Sequence, residues 1–154
     1  MINVLFVCHG NICRSTLAQC VFSHTVNSLG LSSRFHIDSM ATSTEELGSP
    51  PHRGTVRKLN EMGIPVIPHR AKQISWEDYK SFDYIIGMDT YNIKNLNRML
   101  KNDPERKVYK LLSFSGSGRD IADPWYTGDF DATFDDVTAG INGFLEYLKE
   151  KGEI

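Results

Sequence analysis

Cys8 and Arg14 lie six positions apart within VLFVCHGNICRST (residues 4–16), with Gly10 and Asn11 between them and Ser15 directly after the arginine. The planar fork of an arginine matches two oxygens of a phosphate. Gly and Asn are the residue types that most readily take positive φ, so Gly10 and Asn11 are expected to turn successive backbone N–H groups inward as an anion-binding nest. A helix starting at Ser15 adds unpaired N–H donors and the positive end of its dipole. The same field favours a thiolate over a thiol, and the Ser15 hydroxyl is placed to donate to the sulfur. A thiolate at the floor of a phosphate cradle faces phosphorus opposite the leaving oxygen. The chemistry expected is therefore nucleophilic displacement through a phosphocysteine. Taken alone, Cys8 reads equally as a small buried hydrophobe and Arg14 as a surface charge at a helix start. The strand before, the nest residues between and the serine and helix after favour the chemical reading.

The elements that must hold this loop are legible as patterns. Residues 2–7 form a continuous apolar run, as expected of a central parallel strand. From Ser15 to Leu29, Ala18, Val21, Phe22, Val26 and Leu29 recur at helical spacing, and Gly30 closes the helix. Arg34 to Asp38 reads as a second strand, and Pro50 and Pro51 open a helix carrying Val56, Leu59 and Met62. Asp83 to Gly87 is a third strand, followed by a helix with Ile93, Leu96 and Leu100; Lys107 to Leu112 is a fourth. From Asp131, Phe134, Val137, Ile141, Phe144, Leu145 and Leu148 share one helical face. The stretch from Ser113 to Phe130, rich in Gly, Ser and Asp, reads as one long loop, of a length usually functional or disordered. Alternating strands and helices predict a parallel α/β sheet with helices on both faces, and place the Cys8–Arg14 loop at the carboxyl end of the sheet.

At 154 residues the chain fits a single domain, 1–154, able to bury a sizeable core. A formal net charge of −2 gives no footprint for nucleic acid or an anionic membrane. No apolar run approaches a membrane span, and the MINVLFV start lacks signal-peptide features, so a cytoplasmic protein is expected. All three cysteines, Cys8, Cys13 and Cys20, fall in the first 20 residues. That clustering suits neither a disulfide framework nor a zinc site and points to a reducing compartment. No metal or cofactor is expected.

The stretch VCHGNICRST closely resembles the signature of the low-molecular-weight protein tyrosine phosphatases, C-x-G-N-x-C-R-S. HRAKQIS (69–75), FDYIIGMD (82–89), NLNRML (95–100) and DPWYTGDFD (123–131) resemble further family segments in the family's order. The resemblance implies a flavodoxin-like three-layer sandwich with a four-stranded parallel sheet. It also implies metal-free, two-step hydrolysis of phosphotyrosine in proteins or peptides, releasing inorganic phosphate, by a monomer or weak dimer. By matching position, Cys8 would be the nucleophile, Arg14 the phosphate clamp and Asp123 the general acid and then base. Taken alone, Asp123 is only a turn residue before a proline. Asn11, Ser39 and His69 match positions that hydrogen-bond together behind the loop, although His69 reads equally as a surface histidine. Asp89 matches a position near the acid loop. Cys13 matches a cysteine able to form a reversible disulfide with Cys8 on oxidation, whereas Cys20 reads as core.

The chain also departs from the family pattern. His9 follows the nucleophile where an aliphatic residue is usual, and Thr16 replaces a proline. Glu45 stands where many members carry an aromatic wall for the phenyl ring, while Trp125 and Tyr126 supply aromatic walls opposite. One expectation is a weakened or acidic side of the substrate slot; the alternative is that Glu45 points to solvent. His9 is read as a specificity residue. Tyr126 matches a regulatory phosphorylation site, but Trp125 removes the usual double tyrosine. Three other activities compete. An arsenate reductase of this fold needs a later cysteine, and none follows Cys20. Protein arginine phosphatases resemble C-x-G-N-T-C-R-S, and here Ile12 takes the threonine's place. A non-catalytic anion-binding domain would need neither Asp123 nor a reactive thiol.

Overall fold

A computed structural model describes residues 1–154. Four strands, β1 (Ile2–Cys8), β2 (Phe35–Ala41), β3 (Tyr84–Gly87) and β4 (Val108–Lys110), form one parallel sheet in the order β2-β1-β3-β4. The apolar run at the N-terminus is the centre of that sheet because it can bury both faces. Val4, Phe6 and Cys8 enter one core, and Leu5 and Val7 enter the other. The larger core lies beneath α1 (Arg14–Ser28), α2 (Arg53–Glu61) and α6 (Phe130–Glu150). The smaller one lies beneath α3 (Trp76–Ser81) and α4 (Thr90–Met99). The result is the expected three-layer α/β fold. β1 is flanked by β2 on one side and β3 on the other, so its carboxyl end, Cys8, is the topological switch point where such sheets bind ligands.

The helix face predicted from Asp131 onward is buried as read: Phe134, Val137, Ile141, Phe144, Leu145 and Leu148 all lie in the larger core. Other expectations need correction. β2 runs on to Ala41, because its continuation stays paired beside Cys8, and β4 ends at Lys110, where a 3-10 turn over Leu111–Ser115 takes over. α2 begins only at Arg53, since the side chain of His52 caps it, and of its expected apolar face Leu59 is buried while Met62 is exposed. Leu29 is likewise exposed at the end of α1. α3 was not anticipated. The presumed loop 113–130 is structured at both ends, by the 3-10 turn and by α5 (Pro124–Thr127). No helix is long and apolar enough to cross a membrane.

Candidate active site

The phosphate-loop candidate, Cys8 to Arg14, is held from outside by its carbonyls. The Cys8 carbonyl accepts from Thr42 N–H at 3.0 Å, that of His9 from Ser43 N–H at 3.1 Å and that of Ile12 from His52 N–H at 2.8 Å. The Cys13 carbonyl takes the Leu17 N–H and the hydroxyls of Thr16 and Thr55. A trans peptide points its N–H opposite to its carbonyl, so committing these carbonyls outward turns the partner amides inward. The left-handed conformation expected of both Gly10 and Asn11 is taken by Asn11 alone, at φ 60°. Gly10 has no positive φ, and a side chain there would meet Glu46 and Ile12 only at ordinary contact distance. One left-handed residue suffices to bend the loop.

That bend is locked by a chain of hydrogen bonds ending on the sulfur. His69 Nε2–H donates to Asn11 Oδ1 at 2.8 Å, and Asn11 Nδ2–H donates to Ser15 Oγ at 2.8 Å. Because Ser15 Oγ accepts there, its hydrogen is free for Cys8 Sγ, 3.1 Å away. The Asn11 amide N–H also donates to Cys8 Sγ, at 3.3 Å. Ser39 contacts His69 Nε2 at 3.3 Å and donates to Gln19 Oε1. Asn11, Ser39 and His69 are thus brought together as expected, and His69 is not a surface group. Burial lowers the His69 pKa from its usual value, with Asp38 partly opposing, so the ring is neutral at pH 7. Burial, reinforced by the neighbouring Cys8, pushes the Cys13 thiol up to about 12. All three cysteines are free, and Cys20 sits in the core, accepting from the Ile67 N–H.

Arg14 is not a surface charge; it is 2% exposed. Its Nη1 donates to Asp89 Oδ2 at 2.6 Å and to the Ile121 carbonyl at 2.9 Å, while Nη2 reaches Asp123 Oδ2 at 3.4 Å. Burial disfavours its charge, but Cys8, Asp89 and Asp123 outweigh that and hold its pKa above the usual arginine range. Asp89 does double duty, because its other oxygen caps α4 by accepting the Asn92 N–H at 2.7 Å. Asp123 caps α5, accepting the Trp125 N–H at 3.0 Å, with Pro124 preset at the first helical position.

Cys8, His9, Gly10, Ile12 and Cys13 line one cleft together with Glu45, Glu46, Asp123, Trp125 and Tyr126. Trp125 and Tyr126 are exposed at its rim. Glu45 also lines the cleft, largely exposed to solvent, and does not stand alone: its carboxylate lies 2.8 Å from His9 Nε2. Two of the departures from the family pattern, His9 and Glu45, are therefore partners. The sequence reading did not single out Glu46 as a lining residue, nor His52 as a brace of the loop. His52 precedes RGTVRKLNE as a cap, a role histidine rarely announces.

Comparison with known proteins agrees with this geometry. The family model described as "Low molecular weight phosphotyrosine protein phosphatase" matches residues 3–154. The crystal structure of YfkJ from Bacillus subtilis superposes with a TM-score of 0.93 at 36% identity, covering 98% of this chain and 96% of that one. The human low molecular weight phosphotyrosine protein phosphatase is 37% identical over 151 residues, 94% of each chain. The Drosophila arginine phosphatase DARP is similar at a TM-score of 0.87 and 28% identity, covering 97% of this chain and 98% of that one. A thiol and an aspartate lining one cleft, with a buried arginine 3.4 Å from that aspartate, in a chain matched from residue 3 to residue 154, place this protein in the low molecular weight phosphotyrosine protein phosphatase family.

Proposed function

We propose that the protein hydrolyses phosphotyrosine in proteins and peptides, with aryl phosphates as simpler substrates. The observation that carries this reading is the hydrogen-bond chain from His69 through Asn11 and Ser15 to Cys8 Sγ, at the floor of the cleft that Asp123 also lines. Two donors on the sulfur favour its thiolate. The thiolate attacks phosphorus while Arg14 and the inward amides hold the equatorial oxygens. The bond from phosphorus to the phenolic oxygen breaks as the Asp123 carboxyl gives that oxygen its proton. Asp123, now a carboxylate, takes a proton from water. The resulting hydroxide attacks phosphorus, the S–P bond breaks, and inorganic phosphate leaves with the thiolate restored. No cofactor or metal enters these steps. With three free cysteines the protein suits a reducing compartment, and we assign it to the cytoplasm as one phosphatase domain.

The Trp125 and Tyr126 side of the cleft would hold the phenyl ring, and the His9–Glu45 pair would form the other rim. Steady-state hydrolysis of p-nitrophenyl phosphate, phosphotyrosine peptides and phosphoarginine peptides tests the assignment. Cys8→Ser should abolish turnover. Asp123→Ala should lose about 10²–10³-fold on phosphotyrosine, and less on p-nitrophenyl phosphate, whose oxygen leaves without help. Activity surviving in Cys8→Ser refutes the mechanism. A clear preference for phosphoarginine would favour the second reading, to which the likeness to DARP lends support; Ile12, buried at the cleft wall, argues for phosphotyrosine.

A further inference from the structure

We infer that His52 is a positioning residue that sets where the Asp123 loop stands over the phosphate loop. The inference rests on the reading of Asp123 as general acid. Before Asp123 that loop is tied down by hydrogen bonds: the Ile121 N–H donates to the Met88 carbonyl at 3.0 Å, and the Ile121 carbonyl accepts from Arg14 at 2.9 Å. After Asp123, the hydrogen bonds of residues 124–129 are local, made within 123–133. What docks this half is the packing of Phe130 against Ile12, Cys13 and Ala71, together with two ring contacts that converge on one side chain. The His52 imidazole meets Trp125 edge-on at 5.6 Å and stacks on Phe130 at 5.4 Å with 20° between planes. Phe130 is in turn seated on Gly54, where a Cβ would fall 2.4 Å from the ring.

His52 can serve as that post because it is itself fixed at two points. Its Nδ1 accepts the Gly54 N–H at 2.9 Å, capping α2, and its N–H donates to the Ile12 carbonyl at 2.8 Å. One residue therefore touches the loop that carries Cys8, by its backbone, and the loop that carries Asp123, by its ring. It does not line the cleft that Cys8 and Asp123 share, so it acts through them. Losing the ring frees Trp125, leaves Phe130 held only by Gly54 and the Ile12, Cys13 and Ala71 side chains, and lets Asp123 drift from the leaving oxygen. A displacement of about 1 Å is enough to weaken proton transfer severely.

His52→Asn keeps a good helix cap but removes the ring, and His52→Phe keeps the ring but removes the cap. The measurement is kcat/KM on phenyl phosphate and on p-nitrophenyl phosphate, for both variants and for His52→Asn combined with Asp123→Ala. His52→Asn should lose about 10-fold on phenyl phosphate and under about 3-fold on p-nitrophenyl phosphate. His52→Phe should recover most of that loss, and His52→Asn should cost nothing further once Asp123 is alanine. Equal losses on both esters, a loss that persists without Asp123, or no loss overturns the inference. If Asp123→Ala itself shows no dependence on the leaving group, the acid assignment fails first, and the role of His52 fails with it.

Discussion

A guanidinium taken almost entirely out of water is unfavourable unless every direction around it is answered by charge or hydrogen bond. Arg14 meets that condition at its two terminal nitrogens, with Asp89, the Ile121 carbonyl and Asp123, and with Cys8 raising its pKa further, while its buried Nε has no hydrogen-bond partner. Asp89 is the shortest of these contacts, at 2.6 Å, and it should be tested apart from the reacting groups. Asp89→Asn should lower stability by about 1–3 kcal/mol, read by urea denaturation, and raise KM for aryl phosphates as Arg14 loses its aim. An unchanged KM would show that Arg14 is oriented by the backbone alone. Cys13 stays a neutral thiol, its pKa pushed up to about 12. At the rim, His9 Nε2 holds the Glu45 carboxylate at 2.8 Å. His9→Leu should therefore raise KM for phosphopeptides with acidic flanks several-fold with kcat little changed, and Glu45→Gln in the same chain should reverse it. Identical peptide profiles in wild type and His9→Leu would remove His9 from specificity.

Between elements, the tightest approach is glycine against backbone. A Cβ on Gly143 in α6 would lie 2.4 Å from the Phe114 carbonyl oxygen, which belongs to the turn after β4. Neither main chain can yield, so Gly143→Ala should cost about 1–3 kcal/mol in denaturation while leaving kcat/KM near wild type, because the contact is remote from the cleft. Elements of this kind divide by whether their signal is local. β1, β3 and α6 were legible because burial on two faces, or on one stripe, writes a period into ten or twenty residues. α3 was not, since WEDYKS buries only Tyr79 and its one mark is the capping box between Ser75 and Asp78. Nor was the turn at Lys101, Asn102 and Asp103, three consecutive positive-φ residues without a glycine. Its shape is held by Asp103, which accepts the hydroxyl of Tyr79, 24 residues back, at 2.6 Å and the nearby Lys107 and Val108 N–H groups at 2.8 and 3.0 Å.

Over the whole molecule, the signature residues were readable because all eight, Cys8 to Ser15, are contiguous, whereas their supports come from five distant segments around Ser39–Ser43, His52–Thr55, His69, Asp89 and Ile121–Asp123. Pairing of His9 with Glu45, and the bracing by His52, exist only after folding and leave no spacing to read. Those long-range supports also carry a pH dependence. The His69 pKa falls below its usual 6.5, chiefly through burial. Below that pH the unfolded imidazole binds a proton that the folded one resists, so stability present above about pH 6.5 is lost as pH falls toward the folded value. Thermal midpoints should drop between about pH 7.5 and 5.5, and His69→Gln should flatten that slope; an equal slope would exclude His69 as its source. Arg14 adds a constraint on timing. Its partners Asp89 and Ile121 lie 75 and 107 residues further along the chain, so during synthesis the nucleophile's loop emerges long before anything can hold its arginine. A nascent chain arrested before Ile121 has left the ribosome should carry the whole signature and turn over no substrate. Activity should switch on late and abruptly, which spares phosphoproteins near the ribosome from half-made enzyme.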